Sequence, residues 1–150
     1  MRCRTARASK DLNFNGNADE AFNFYQLIIV TDLFSQINRK DDVPDDPSMP
    51  AAPDAQKNLV VHVELPILTG HLLMATDIVE SMGQQLKIGN NTTINLEPDS
   101  REETDRFYKK LSAGGSDTSG VHDIFWGAYW GSCLDRFRVR WMFNFVTAEP

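Results

Sequence analysis

Three side chains within one short stretch have the types and spacing of a metal site. His62 and Glu64 lie two residues apart in an alternating segment, so on a β-strand both would point to the same face. Pro66–Gly70 predicts a turn, and His71 begins the returning segment. If Glu64 pairs with His71, the three converge as a two-histidine, one-carboxylate cluster, which suits non-haem iron or zinc. If the register differs by one residue, Met74 faces His62 and His71 points to the opposite face.

The same pair has a simpler interpretation. A hydrogen-bonded histidine and glutamate can line a solvated groove with no metal, and short spacings of this kind arise often by chance. The sequence alone does not choose between the registers, so His62 and Glu64 stand as candidate catalytic residues. With His71 they are the candidate ligands of a divalent metal.

Other candidates for chemistry lie in the second half. Cys133 would need a neighbouring base to form a nucleophilic thiolate, and none is local, so we expect a small buried residue. His122-Asp123 is a contiguous pair that we expect in a loop, where such residues form turns. Arg136, Arg138 and Arg140 alternate in or beside the last predicted strand. They are interpreted either as a solvated edge or as a contact for a carboxylate or phosphonate ligand.

Aromatic residues are concentrated in the same half of the chain. Their amphipathic rings are common in cores and at the rims of cavities, so we expect some of them to wall a pocket. The predicted aromatic cluster comprises Phe125, Trp126, Tyr129, Trp130 and Trp141.

Composition limits the class of protein. The 150 residues are 41% hydrophobic and include nine Phe, three Trp and three Tyr, which is enough to build a core. The net charge of −6 disfavours non-specific binding of nucleic acid, and no apolar run is long enough to span a membrane. The basic residues near the N-terminus precede no apolar segment, so secretion is not indicated. With two cysteines, Cys3 and Cys133, this favours the cytoplasm.

A weak internal repeat organises the chain. Leu12–Asn17 and Ile94–Asp99 share an alternating strand pattern followed by a breaker and a capping residue, and a helical pattern follows each. Asn17 with Glu20 and Ser100 with Glu103 predict the helix starts, and Gly114-Gly115 predicts the end of the second helix.

Further strands follow each helix. Alternation in the first half places Leu59, Val61, Val63 and Leu65 on one strand face, while the proline-rich stretch 39–57 predicts a loop. The remaining strand predictions are Leu33–Ile37, His71–Ala75, Phe125–Trp130 and Val139–Val146, with a turn near Asp135. The pattern is βαβββ, twice. The predicted fold class is α+β, with paired βαβββ modules forming a curved mixed sheet around a concave cavity.

Segments in both halves match a known family in order and spacing. They are Leu12–Asn17, Ala21–Tyr25, His62–Ile67, His71–Asp77, Glu80–Gly83, Gly89–Asn91, Asn95–Asp99, Asp123–Tyr129 and Trp141–Asn144. From about Leu12 to Asn144 the chain resembles the vicinal oxygen chelate superfamily, which includes glyoxalase I, bleomycin-resistance proteins and extradiol dioxygenases. Within it, the chain is most similar to the PhnB-like proteins, often labelled demethylubiquinone methyltransferase-like.

The resemblance implies a domain organisation and a binding site. Residues 1–11 are an irregular basic segment, and residues 12–146 form one glyoxalase-like domain of two modules, about 12–78 and 90–146. A small molecule is expected in the cavity between the modules, and a homodimer is expected. The expected ligand-binding residues are Asn13, His62, Glu64, Met74, Asn95, Trp126, Tyr129 and Trp141.

This sequence also departs from the family pattern. The four metal-ligand places of the superfamily fall near Lys10, Met74, Thr93 and Met142, none of which suits such a site. Arg138 stands where the family usually has glycine before the last strand, so we expect it to adopt a positive φ.

Two functions from different classes follow from these features. The first is a small-molecule-binding protein without the usual four-ligand metal site and with no certain cofactor. The second is a metal-dependent lyase, isomerase or dioxygenase-like enzyme that uses His62 and Glu64. No glycine-rich strand-turn-helix signature for a nucleotide-like cofactor is present, so the methyltransferase label is not supported by the sequence.

Overall fold

The structure, a computed structural model, describes residues 8–29, 37–39, 42, 57–68 and 71–147. The chain divides into two compact units, which we call unit 1 (residues 1–86) and unit 2 (residues 87–150). In the part of the chain that is described, no helix is both long enough and apolar enough to cross a membrane.

In the described residues of unit 1, a four-stranded mixed sheet packs with one α-helix. Strand β1 runs parallel to β4, β3 is antiparallel to β4, and β2 is antiparallel to β3, giving the strand order β1-β4-β3-β2. Its elements are β1 (Lys10–Phe14), α1 (Ala18–Ile28), β2 (Asn38–Arg39), β3 (Val60–Ile67) and β4 (His71–Asp77).

Unit 2 repeats this topology. Strand β5 runs parallel to β8, and the others are antiparallel, giving the order β5-β8-β7-β6. Its elements are β5 (Ile94–Leu96), α2 (Arg101–Ser112), β6 (Ser116–Ile124), β7 (Ala128–Leu134) and β8 (Arg140–Val146). The α+β class and the two βαβββ modules predicted from the sequence are confirmed.

Each core lies between a helix and one face of its sheet. In unit 1, Phe22 of α1 meets Phe14 of β1 edge to face, with ring centroids 6.3 Å apart. In unit 2, Tyr108 of α2 meets Phe143 of β8 in the same way at 5.8 Å. Alternate strand residues are therefore buried, and each large side chain contributes about 1.5–3 kcal/mol.

The two helices begin differently. Asn17 is the N-cap residue of α1, as predicted, but its side chain makes no capping hydrogen bond. Asp77, at the end of β4, accepts instead from the backbone N–H groups of Gly16 and Ala18, at 3.1 and 3.0 Å. The prediction for α2 is confirmed, since Ser100 Oγ accepts from the N–H of Glu103 at 3.1 Å.

Two strand predictions in unit 1 need correction. Leu33–Ile37 falls outside the described residues except for Ile37, which is not in a strand; β2 is Asn38–Arg39. The predicted alternation fails at Val61, which is 37% exposed. Asn38 pairs with His62 and Arg39 with Val60, so the register shifts at this residue and turns its side chain outward.

Unit 2 also contains a strand that the sequence did not reveal. Strand β6 is an exposed edge strand rich in Ser, Thr, Asp and Gly, so it carries no apolar alternation to detect. His122-Asp123 therefore lies in a strand rather than in the loop we expected. The strand predicted at Phe125–Trp130 begins only at Ala128, because the turn around Gly127 (φ +81) precedes it.

Candidate functional site

The face of the unit 2 sheet that points away from α2 carries a concave pocket of about 240 Å³. One row of neighbouring residues crosses all four strands there, with Asn95 opposite Met142, Met142 opposite Ser132, and Ser132 opposite Ser119. The pocket is lined by Thr93, Asp117, Thr118, Ser119, Trp130, Ser132, Cys133, Arg140, Trp141 and Met142. It combines hydroxyl groups, one basic and one acidic side chain, and an apolar wall, so it offers both hydrogen bonds and apolar contacts.

Arg140 is the only basic residue of this lining. Its Nη1 donates to Asp117 Oδ2 at 2.8 Å, and its side chain is 25% exposed against 67% for Asp117. Among the described residues, its buried Nε has no hydrogen-bond acceptor. The guanidinium therefore has unused donor capacity at the pocket.

Asp117 reaches Arg140 from an irregular part of β6. Its φ is +48°, in the left-handed region, and the pairing of β6 with β7 shifts between Ser116 and Ser119. An aspartate tolerates this conformation better than most residues, although it still costs free energy. The bulge turns the Asp117 carboxylate toward the last strand.

Of the three alternating arginines, only Arg140 lies in a strand. Arg136 and Arg138 lie in the turn before β8, so they do not share a strand face with Arg140. The Arg136 guanidinium donates to the carbonyl of Ala113 at 3.2 and 3.3 Å. Arg138 is exposed at φ +71°, which confirms the expected positive φ.

In unit 1, His62 and Glu64 do share a face. His62 Nε2 lies 2.9 Å from Glu64 Oε1, and both side chains are a little more than one-third exposed. Glu64 pairs with Met74, which in turn pairs with Asp11 of β1. Asn13 of β1 lies on the same face as Asp11, since the two are separated by one residue.

His71 is not part of this group. It pairs with Ile67, whose side chain is buried on the helix side of the sheet, so it lies on the face opposite His62 and Glu64. The register that would bring all three together, Glu64 with His71, is not the one observed. No group of three or more His, Cys, Asp or Glu side chains suited to a metal occurs within the described ranges.

The four residues at which the resemblance places the superfamily's metal ligands, Lys10, Met74, Thr93 and Met142, have no imidazole or carboxylate group. Met74 lies opposite Glu64 in unit 1, while Thr93 and Met142 line the unit 2 pocket. Lys10 begins β1 and is exposed. A thioether, a hydroxyl and an ammonium group are poor partners for the divalent metals that imidazole and carboxylate ligands hold, so these residues do not fit a glyoxalase-type metal site.

The five aromatic residues expected to cluster are instead dispersed. Trp130 and Trp141 line the pocket, and the Trp141 indole N–H also donates to Asp135 Oδ2 at 2.8 Å. Phe125 and Trp126 contact each other at the β6–β7 turn and are 95% and 59% exposed.

Tyr129 lies on the helix side of the unit 2 sheet. Its hydroxyl donates to Asp105 of α2, and this bond raises the Tyr129 pKa above its ordinary value. The Arg101 guanidinium lies 4.7 Å from its ring centroid and also donates two bonds to Asp123, which lowers the Asp123 pKa. These contacts connect α2 to the β6–β7 hairpin.

Cys133 is buried, as expected, with 2% of its surface exposed. Burial, and to a lesser extent the negative charge of Asp135, raise its pKa to about 12. At neutral pH it is therefore a thiol rather than a nucleophilic thiolate.

Sequence reasoning missed the residues that β6 contributes. Asp117, Thr118 and Ser119 line the pocket, but they lie in a polar stretch without periodicity. A possible signal was the repeat itself, since a second βαβββ unit requires a strand between α2 and β7. That requirement points to residues 116–124.

Comparisons with known proteins agree with the geometry. A family profile described as 3-demethylubiquinone-9 3-methyltransferase matches residues 6–143. Protein YjdN of Escherichia coli K12 is 25% identical over 146 residues, covering 93% of this chain and 95% of YjdN. The structure of PA1353 from Pseudomonas aeruginosa is similar with a TM-score of 0.81 at 29% identity, covering 96% of this chain and all of that one.

Two further structures share the fold. The PhnB protein from Bacillus cereus is similar with a TM-score of 0.73 at 20% identity, covering 93% of this chain and 99% of that one. The fosfomycin resistance protein FosX from Listeria monocytogenes, solved with Mn(II) and sulfate, gives 0.61 at 13% identity, covering 98% and 94%. With a profile match across most of its length, the chain belongs to the 3-demethylubiquinone-9 3-methyltransferase (PhnB-like) family, and its two βαβββ units give it the fold of the glyoxalase/bleomycin resistance/dioxygenase proteins.

Proposed function

We propose that this protein is a cytoplasmic small-molecule-binding protein that holds its ligand in the unit 2 pocket. The observation that carries the proposal is the lining itself, in which the Arg140–Asp117 ion pair, several hydroxyl groups and the apolar side chains of Trp130 and Met142 meet in one pocket. Its volume of about 240 Å³ lies just below the usual range for ligand sites, so the ligand is small. Trp141 lines the pocket, and Asn95 adjoins it through Met142.

The test fills the pocket without changing the rest of the sheet. Ser132→Leu places a larger side chain in the lining, whereas Ser116→Leu makes the same change on β6 outside it. A thermal-shift screen of small aromatic and antibiotic-like compounds should give hits that stabilise the wild type and the Ser116→Leu variant but not Ser132→Leu. Hits that stabilise all three equally would place binding elsewhere, and a screen without hits would contradict the proposal.

A second candidate function rests on the contact between His62 and Glu64. These side chains, with Met74 and Asn13 on the same face of unit 1, offer one imidazole and one carboxylate to a solvated surface. The alternative proposal is a metal-dependent lyase, isomerase or dioxygenase-like enzyme in which these two residues act at the metal or as a base.

Metal content separates the two candidates. Inductively coupled plasma mass spectrometry on tag-free protein would compare the wild type with His62→Ala and with His71→Ala, which removes a histidine from the opposite face. Stoichiometric metal that is lost only in His62→Ala would favour the enzyme. Metal-free protein after incubation with iron, zinc, nickel and manganese would remove that candidate.

We also propose a homodimer, for which the exposed tip of the β6–β7 hairpin is the supporting feature. Phe125, Trp126 and Val146 are each at least 59% exposed, and the pairing of Ala128 with Val146 brings the strand end to the turn. Contiguous exposed apolar residues of this kind mark association surfaces. Light scattering should show a dimer for the wild type and a monomer for Phe125→Ser/Trp126→Ser; dimerisation by both would place the interface elsewhere.

The family description does not by itself assign methyl transfer to this chain. Function depends on the site rather than on the fold, and neither described sheet has the glycine-rich strand-turn-helix element that holds nucleotide-like cofactors. We therefore assign binding, and no reaction, to the unit 2 pocket.

A further inference from the structure

We propose that the unit 2 pocket selects small organic molecules that carry an oxyanion such as a carboxylate, and that this group binds Arg140 in place of Asp117. The inference rests on the proposed function, because it names the class of ligand for that same pocket. It makes Asp117 an internal competitor that occupies the anion position when no ligand is bound.

The charge of the lining supports this assignment. Of the ten lining residues, only Arg140 is basic and only Asp117 is acidic. Without a ligand these two charges neutralise each other across a single 2.8 Å contact between Arg140 Nη1 and Asp117 Oδ2. A ligand oxyanion would restore that neutrality if Asp117 moved away into solvent.

Arg140 has the donors that such a ligand needs. A guanidinium presents five N–H groups in a planar fork and binds carboxylates through two parallel bonds. In the described part of the chain, Nε is buried without an acceptor, an arrangement that costs free energy. A carboxylate with two oxygens would use the fork more fully than the observed contact through Nη1 alone.

Asp117 is a partner that can be replaced. Its side chain is 67% exposed, so its carboxylate would remain hydrated after leaving Arg140. Ion pairs that are open to solvent contribute little to stability. Displacing it therefore costs little, whereas removing a fully buried carboxylate from a cation would cost a great deal.

The remaining lining argues for an organic ligand rather than an inorganic anion. Ser119 and Ser132, which pair across β6 and β7, supply hydroxyl donors to the same pocket, while Trp130 and Met142 supply an apolar surface that an inorganic ion would leave uncovered. A compact aromatic carboxylate matches both parts of the pocket. Benzoate is the probe of that class, and benzamide is its neutral counterpart of nearly the same shape.

The experiment measures the binding of both probes to the full chain by titration, followed through the indole signal of Trp130 in two-dimensional NMR. The wild type should bind benzoate about tenfold or more tightly than benzamide. Arg140→Gln should abolish that preference, and Arg140→Lys should retain part of it, because it keeps the charge and loses the fork. Asp117→Asn should strengthen benzoate binding several-fold and leave benzamide unchanged.

Arg138→Gln is the matched control. It removes the same charge from the turn beside β8 without touching the pocket, so its preference for benzoate should equal that of the wild type. If Arg138→Gln and Arg140→Gln lost the preference for benzoate to a similar extent, the preference would depend on net charge alone, and the proposal would be overturned.

The remaining outcomes separate this inference from the proposed function. Equal binding of benzoate and benzamide at Trp130 would overturn the oxyanion inference and leave small-molecule binding intact. Failure of both probes to bind would also overturn the oxyanion inference, whereas the proposed function falls only if the thermal-shift screen gives no hit that Ser132→Leu loses. An unchanged benzoate affinity in Asp117→Asn would refute the competition, even if Arg140→Gln lost the preference.

Discussion

In unit 1 the helix begins against a carboxylate that lies 59 residues away in the chain, whereas in unit 2 it begins on the hydroxyl of the residue just before it. Asp77 accepts hydrogen bonds from Gly16 and Ala18 at the start of α1 and also from the N–H of Val60, at 2.8 Å, at the start of β3. One buried side chain thereby connects three elements of unit 1.

The residue at the equivalent position in unit 2 accepts no such hydrogen bonds. Phe14 pairs with Asp77 at the end of unit 1's parallel strands, and Leu96 pairs with Phe143 at the matching place in unit 2. Phe143 packs on α2 through Tyr108 instead of accepting hydrogen bonds. The same topology is thus compatible with a polar or an apolar residue at this point, provided that the helix start is satisfied in another way.

Unit 2 has its own buried carboxylate, in a different place. Asp135 is 1% exposed and accepts from the N–H groups of Phe137 and Val139, at 2.8 and 3.0 Å, and from the Trp141 indole. It stabilises the β7–β8 turn behind the pocket rather than a helix. The units therefore share a strand order and differ in what their internal polar contacts connect.

The largest expected effect comes from Asp77→Asn. An amide can accept at only one end, so at least one of the N–H groups of Gly16, Ala18 and Val60 would face another donor while buried. The loss should be about 2–4 kcal/mol of unfolding free energy. Hydrogen exchange at these amides would measure it locally.

Asp11→Asn is the control for that change, because Asp11 lies on β1 of the same sheet and is exposed. It should alter stability by about 0.5 kcal/mol or less. Equal effects of Asp11→Asn and Asp77→Asn would mean that the buried contacts do not hold unit 1 together.

Asp135→Asn should have the next largest effect and should be confined to unit 2. It keeps one oxygen for Phe137 and Val139 but loses the bond from Trp141, at a cost of about 1–3 kcal/mol. Trp141→Phe removes the same bond from the other side. In urea denaturation the double variant should be less destabilised than the sum of the single variants; strict additivity would show that the two residues are not coupled.

The two helix starts give a smaller and sharper contrast. Ser100→Ala should cost about 1 kcal/mol, because it removes an N-cap hydrogen bond from α2. Asn17→Ala, at the position with the same sequence signature, should cost much less, because no side-chain cap bond exists there. Circular dichroism during urea denaturation would compare the two variants. An equal loss of unfolding free energy in both would show that the two helix starts do not differ.

Much of the fold follows from patterns that are local in the sequence. The repeat of strand and helix patterns predicted both βαβββ units, and the Ser100 cap was visible because its partner lies three residues away. Asp77 was not recognised as a cap, because its partners Gly16 and Ala18 are distant in the chain. A single sequence does not show which distant carboxylate reaches a helix end.

The candidate site was predictable only in part for the same reason. Arg140, Trp141 and Met142 lie on a strand with clear periodicity, and the sequence singled out each of them. Their partners on β6 lie in a polar edge strand whose bulge depends on pairing with β7. The register that separates His71 from Glu64 was likewise open, because a shift of one residue fits the sequence equally well.

The smallest effect concerns the turns before the last strand of each unit. Both contain a residue other than glycine at positive φ, Leu68 at +48° in unit 1 and Arg138 at +71° in unit 2. Arg138 is exposed, so Arg138→Gly should relieve backbone strain without losing packing and raise stability by about 0.5–1 kcal/mol. Arg138→Ala keeps the Cβ and should give no gain. If both variants stabilise the protein equally in thermal denaturation, the gain in stability comes from removing the charge of Arg138 and not from relieving backbone strain in the β7–β8 turn.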